Sequence, residues 1–286
     1  MESQTERSPS LLKSWLKTIL SEGARRRARR FGRLRWITKA KLVRHYRHSR
    51  IKWLSYVLVD PEVDSWTYPI ANQRSLAEAL ATALSRPSAE VRTLVSETGR
   101  DPLLRQSLRQ PIRHLAWAKR MPEPKAYHQA CWAIVRAVRP TCVVETGVLD
   151  GMASTVILAA LARNSLEGAN GQLLSFDTMP GAGAMVPASL RQHWQLVCGD
   201  ATDMLEQVIG DRQIGFFTSD SVPSADHIRA ELEAVLRHRS EKGVVAMTAW
   251  GWLANDLTWP TSHVAVFQEQ PVDHFYDGDT LVIASF

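Results

Sequence analysis

The residues best placed to do chemistry gather in one stretch, Thr141-Cys-Val-Val-Glu-Thr-Gly-Val-Leu-Asp-Gly-Met-Ala-Ser-Thr155. A β-branched run, Val143 and Val144, meets an acid, Glu145, and two glycines follow at a four-residue spacing, Gly147 and Gly151. Val156, Ile157, Leu158 and Leu161 then begin an apolar helical pattern. Together they predict a buried strand, a tight glycine turn and a helix starting at about Met152. An acid closing the strand suits a ligand with a positively charged amino group. Gly147 permits backbone angles that other residues resist, and Gly151 carries no Cβ to obstruct a ligand lying on the helix N-terminus. The spacing excludes two common cofactor turns. A dinucleotide fingerprint reads G-x-G-x-x-G and a phosphate loop ends in G-K-[S/T], whereas this turn reads E-x-G-x-x-x-G with no Lys after Gly151.

Further acids recur where strands should end. Gln172-Leu-Leu-Ser-Phe-Asp177 predicts a second strand closed by Asp177, 26 residues past Gly151. In doubly wound α/β folds an acid at this place accepts from the hydroxyls of a ribose. Trp194–Cys198 predicts a third strand, followed by the turn Gly199-Asp200-Ala201 and a helix through Leu205. A fourth, Ile214–Thr218, runs into Ser219-Asp220-Ser221 and a helix from His227 to Arg237 with Ile228, Leu232 and Leu236 inward. Gly243–Thr248, His263–Phe267 and Thr280–Ala284 complete seven strands, with helices expected between the first five. A loop bearing His274, Tyr276, Asp277 and Asp279 joins the last two.

Upstream elements would position this sheet. Lys125 to Val138 places Tyr127, Cys131, Ile134, Val135 and Val138 on one core-facing stripe that Arg139-Pro140 ends. Ser75-Leu-Ala-Glu78 is a capping box opening a helix to about Leu84. Further helices are predicted over Pro87–Glu97 and Pro102–Leu108, and Asp60–Pro69 is an extended segment with Trp66 and Tyr68.

Charge is divided unevenly. Residues 1–52 hold 16 Lys/Arg against 3 Asp/Glu, and the remainder holds 19 against 26. The basic arm carries an apolar stripe of Leu11, Leu12, Trp15, Leu16, Ile19 and Leu20. Its ordinary reading is a solvated arm whose stripe caps the body or a partner copy in a homodimer. Contact with a membrane surface or an acidic partner competes with that, and nucleic acid ranks last because no reading motif accompanies the charge. Cys131, Cys142 and Cys198 are widely spaced, which argues against a disulfide framework or zinc site and fits a reducing cytoplasm. No apolar run is long enough to span a bilayer, and no secretory leader is recognisable at the N-terminus.

The order of motifs from about residue 125 onward resembles a class I S-adenosylmethionine (SAM) dependent methyltransferase, of the actinobacterial small-molecule O-methyltransferase group related to the macrocin type. Asp60-Pro-Glu-Val-Asp64, Thr67-Tyr68 and Ala71-Asn72 are similar to that group's N-terminal cap. The resemblance implies an α/β, Rossmann-like seven-stranded sheet with a helical cap over residues 53–124, a SAM-binding domain over 125–286 and the basic arm over 1–52. It implies that Glu145, Gly147 and Gly151 hold the methionine part of SAM, Asp177 the ribose and Asp200 the adenine, with Thr146, Ser154 and Ala201 also binding the cofactor.

The departures fall where acceptor chemistry belongs. Relatives follow the fourth strand with H-D-S-x-H-[S/T]-Y-x-H. Here Asp220, Ser221 and His227 match, while Pro223 replaces the middle histidine and Ala225 the tyrosine. Relatives often place an acid after the fifth strand that can bind Mg²⁺, but Thr248-Ala-Trp-Gly-Trp252 carries none. A hard divalent cation wants several oxygen ligands, so no metal is expected. Asp220 ranks first and His227 second as base or positioning group, with His274 a distant third. Trp250 and Trp252 suit a flat, apolar acceptor. The expected function is methyl transfer to a small molecule, on oxygen. The alternatives are a SAM-fold protein with other chemistry, such as cyclisation, and a non-catalytic binding subunit.

Overall fold

A computed structural model describes residues 73–108, 124–222, 224–241, 243, 245–249, 263–268 and 280–286. These residues belong to one compact unit of the chain. The expectations for the arm over 1–52, for residues 53–72, for Trp250 and Trp252, and for His274 and its loop lie outside the described residues.

The chain enters the unit at β1 (Gln73–Arg74) and continues through α1 (Leu76–Leu84), α2 (Ser88–Glu97) and α3 (Pro102–Leu108). At the head of α1 the capping box forms: Ser75 Oγ accepts from the Glu78 amide at 3.3 Å, and the Ser75 amide donates back to Glu78 Oε2 at 3.1 Å. Helix α4 (Ala126–Val138) ends at Arg139, which takes left-handed angles (φ 53°) before Pro140 forces the chain out of the helix. Then come β2 (Cys142–Thr146), α5 (Met152–Leu166), β3 (Gln172–Asp177), β4 (Trp194–Cys198), α6 (Ala201–Ile209), β5 (Phe216–Ser219), α7 (Ala225–Arg237), β6 (Val245–Thr248), β7 (His263–Gln268) and β8 (Thr280–Ser285).

The strands form one sheet in the order β1-β7-β8-β6-β5-β2-β3-β4. All pairs are parallel except β6 with β8 and β7 with β8, so β8 inserts antiparallel beside β6. Without β1 this is the seven-stranded, Rossmann-like plan of class I methyltransferases. The eighth strand, two residues pairing in parallel with β7, adds an edge that no hydrophobic run announces.

Side-chain alternation along the strands divides the core into two layers. Val143, Leu173, Phe216, Met247 and Ile283 face α1, α2, α4 and α5. Cys142, Val144, Leu174, Phe176 and Phe217 face α6 and α7. Helix α5 is apolar nearly all round, with Val156, Ile157, Leu158, Ala159 and Ala160 fully buried, as befits a helix wedged between sheet and α4.

One connection departs from expectation. Between β3 and β4 there is no α-helix, only an irregular segment over 178–187 and a 3₁₀ turn over Ala188–His193. Pro180, Gly181, Gly183 and Pro187 interrupt any helical run. Residues 182, 183 and 185–187 are buried there instead.

Leu158→Ala removes a fully buried side chain and should destabilise the fold by about 3 kcal/mol in urea unfolding. Ser75→Ala, which breaks only an exposed cap, should cost about 1 kcal/mol. A Leu158→Ala loss no larger than the cap's would contradict the described core.

Candidate active site

The strand order reverses between β2 and β5, because β3 and β4 lie to one side of β2 while β5 and β6 lie to the other. In open parallel sheets the crevice beyond the carboxyl ends at such a point is where ligands bind. Three of the expected residues end these strands: Thr146 closes β2, Asp177 closes β3, and Asp220 follows β5 directly.

Gly147 sits at the reversal with φ 82° and donates its amide to Phe176 O at 2.9 Å. A Cβ there would lie 2.3 Å from the Asp220 carbonyl oxygen. The glycine therefore lets the tips of β2 and β5 touch backbone to backbone.

Gly151 caps α5 with φ 87°. A Cβ on it would lie 2.7 Å from Gly183 Cα and 3.0 Å from a Val186 methyl. The protein's own 178–187 segment therefore packs against Gly151 where a Cβ would stand. That segment is tied down by the Gly183 amide on Leu149 O and the Met185 amide on Asp150 O, each at 2.8 Å. The Trp194 ring fills the place of any Gly183 side chain.

Glu145 is fully buried on the α4/α5 face. Its Oε2 accepts from Ser154 Oγ and from Ser175 Oγ, both at 2.6 Å, and Ser175 in turn accepts from Trp194 Nε1 at 2.8 Å. Ser154 thus orients the acid. Glu145 Oε1 has no hydrogen-bond partner among the described residues. Burial pushes the Glu145 carboxyl up to about 7, against the pull of the two serine hydroxyls. On the same face, Tyr127 of α4 shares a 2.8 Å hydrogen bond with Thr218 of β5, and burial raises the pKa of both Tyr127 and Cys131.

Asp177 turns toward the corner. Its Oδ2 accepts from the Val148 and Leu149 amides, both at 2.8 Å, and its Oδ1 from the Met179 amide at 2.7 Å. It therefore shapes the loop after Gly147 whatever else it binds. Asp200 caps α6, accepting from the Thr202 amide at 2.9 Å and its hydroxyl at 2.7 Å, and those bonds hold its carboxyl below the ordinary value. Ala201 is buried behind it.

Thr146 points to the opposite face from Glu145 and does not join it. Its hydroxyl donates to Glu231 Oε2 at 3.1 Å. Glu231, on α7, is the residue that sequence reasoning missed. It is fully buried and also accepts from Ser219 and Ser221, each at 2.9 Å, with His227 Nε2 at 3.1 Å from Oε1. The signal was present: Ile228, Glu231, Leu232 and Val235 form the buried stripe of α7, and an acid on such a stripe needs partners. Leu236, expected inward, is only partly buried.

Residues 144–248 match the family model of a methyltransferase domain. No curated protein matches the chain. Among solved structures, the cofactor-bound Rv0187 protein from MTB is 15% identical, with a TM-score of 0.47 over 70% of this chain and 96% of its own. A putative O-methyltransferase from Klebsiella pneumoniae is 17% identical, with a TM-score of 0.43 over 73% and 95%. An O-methyltransferase from Bacillus cereus in complex with SAH is 13% identical, with a TM-score of 0.42 over 73% and 96%. Among the described residues no helix is long and apolar enough to cross a membrane.

The Glu145 carboxyl gives stability a pH dependence. Its pKa of about 7 against an ordinary 4.5 means the native chain keeps a proton that the unfolded chain releases. Its contribution is therefore full below about 4.5 and fades as pH rises to about 7, a change of about 3 kcal/mol. Glu145→Gln should flatten that part of the stability profile in urea titrations at stepped pH. An unaltered slope would contradict the buried, under-partnered carboxyl.

Proposed function

We propose that the chain is a SAM-dependent methyltransferase that methylates oxygen on a small-molecule acceptor without a metal ion. One observation carries the reading: at the reversal point of this sheet, a buried acid with an unpartnered oxygen (Glu145) and a second acid (Asp177) flank a glycine corner. The family match over 144–248 supports it.

The residues present fit the cofactor. Glu145 Oε1 is a buried acceptor lacking a donor, and the ammonium of SAM is a donor of matching charge. Asp177 already takes three amides, and its two oxygens offer four lone pairs, so Oδ1 retains capacity for a ribose hydroxyl. Asp200 and Ala201 stand next along the same edge for the adenine. When bound, SAM supplies a methyl group on a sulfonium that leaves as a neutral thioether. The chain's part is to align the acceptor and remove its proton, for which Asp220 at the tip of β5 and His227 on α7 are the candidate groups. The absence of an acid in Thr248–Trp252 supports metal independence. Pro223 and Ala225, in place of the relatives' histidine and tyrosine, favour a second reading, in which the fold binds SAM without transferring the methyl.

Calorimetric titration with SAM should give saturable binding, weakened about tenfold or more in Asp177→Ala, in line with loss of hydrogen bonds to a charged acceptor. Unchanged affinity in a cooperatively folded variant would overturn the ribose assignment, and absence of heat in the wild type would overturn the enzyme reading. Mass spectrometry for a gain of one methyl group on candidate metabolites separates transfer from mere binding.

A further inference from the structure

The most heavily partnered side chain beside the crevice is Glu231, and none of the cofactor roles above uses it. Its Oε2 takes the hydroxyls of Thr146 and Ser219, which stand side by side because those two residues pair in register across β2 and β5. Its Oε1 takes the hydroxyl of Ser221 and faces His227 Nε2. Four hydrogen-bonding groups thus meet the four lone pairs of one carboxylate. Burial raises the Glu231 pKa, while the hydroxyls and a positive charge on His227 pull against it.

Resting on the methyl-transfer reading above, we infer that Glu231 is a positioning residue: it fixes the His227 ring as the Nε2–H tautomer and presents Nδ1 as the proton acceptor for the acceptor hydroxyl. The geometry supports the first part. With Glu231 ionised its carboxylate only accepts, so the ring nitrogen 3.1 Å away carries the hydrogen. His227 and Glu231 lie one turn apart on α7, the imidazole 18% exposed and the carboxylate not at all, so the ring lies on the solvent side of the buried acid. Its other nitrogen, Nδ1, has no hydrogen-bond partner among the described residues. Charged groups near it among the described residues include Glu231 from its own helix and Asp200 from the head of α6, whose carboxyl feels the His227 charge.

The anchor is rigid for a reason. Thr146 directly precedes Gly147, and Ser219 and Ser221 flank Asp220. The same carboxylate therefore holds the two strand tips that meet at the corner and the imidazole beside them. A proton leaving an acceptor hydroxyl passes to Nδ1, and the resulting imidazolium keeps its Nε2–H on Glu231, where a buried negative charge stabilises it.

Long-range ¹H–¹⁵N spectra of the histidine rings, with the His227 signals assigned by their loss in His227→Asn, read the tautomer directly in the full chain. The expected result is a single Nε2–H tautomer in the wild type. Glu231→Gln should give a mixed or reversed tautomer, a methyl-transfer rate at least tenfold lower, and a SAM affinity within about twofold of the wild type. An Nδ1–H or freely exchanging ring in the wild type overturns the inference, and that measurement needs no folded Glu231 variant. A Glu231→Gln protein with the wild-type tautomer and rate overturns it too. Failure of the methyltransferase reading is distinguishable, since it would appear as no SAM binding with the ring still locked.

Discussion

A carboxylate shut away from water must find donors within the protein, and this sheet hides two of them at one point. Glu145 and Glu231 are both wholly buried, and they lie on opposite faces of the sheet beneath the place where its strand order reverses. Successive side chains of a strand point to opposite faces. Glu145 consequently faces α5 while its neighbour Thr146 reaches Glu231 on α7. On β5, Thr218 meets Tyr127 of α4 and Ser219 meets Glu231. The hydroxyl residues that end these strands are there because two acids need them, and the acids are held where the backbone of β2 and β5 comes closest.

The two acids are solved differently. Glu231 has four partners, which fill its capacity and fasten α7 to both strand tips. Glu145 has two donors on one oxygen and none on the other. A buried acceptor left unmatched costs about 1–3 kcal/mol, and partial neutralisation is how such a group limits the cost. The fully satisfied network stiffens the crevice, and the unsatisfied one leaves an interaction to be made.

Much of this was legible in the residues. The capping box at Ser75–Glu78, the pattern of β3 ending on Asp177 and the start of α5 at Met152 all follow from local chemistry, and the structure reproduces them. What local pattern does not carry is contact between distant segments. Gly151 reads as a place of close approach because it carries no Cβ, but only the fold reveals Gly183 as a neighbour there. The 178–187 segment lacks both helical and alternating periodicity, so its packing against the corner leaves no periodic trace. Glu231 was hidden by habit: an acid within a helix is assigned to solvent, although its phase with Ile228 and Leu232 placed it inward.

The rim of the crevice bears on what kind of molecule it suits. Large exposed hydrophobic residues are few among the described residues, and three of them follow adjacent strands at the same edge: Leu149 (61% exposed) after β2, Met179 (42%) after β3 and Val222 (49%) after β5. Single exposed apolar residues are ordinary, but these three set an apolar border at the strand ends where Asp177 closes β3 and Asp220 follows β5. Such a border repels nothing flat and uncharged, while the acids beneath it oppose a polyanion and favour a cation. A ligand with a positive head and a planar ring meets both demands at once. The strand tips are thus acidic while residues 1–52 are basic in composition, and at the strand tips it is the nearby carboxylates that set the field.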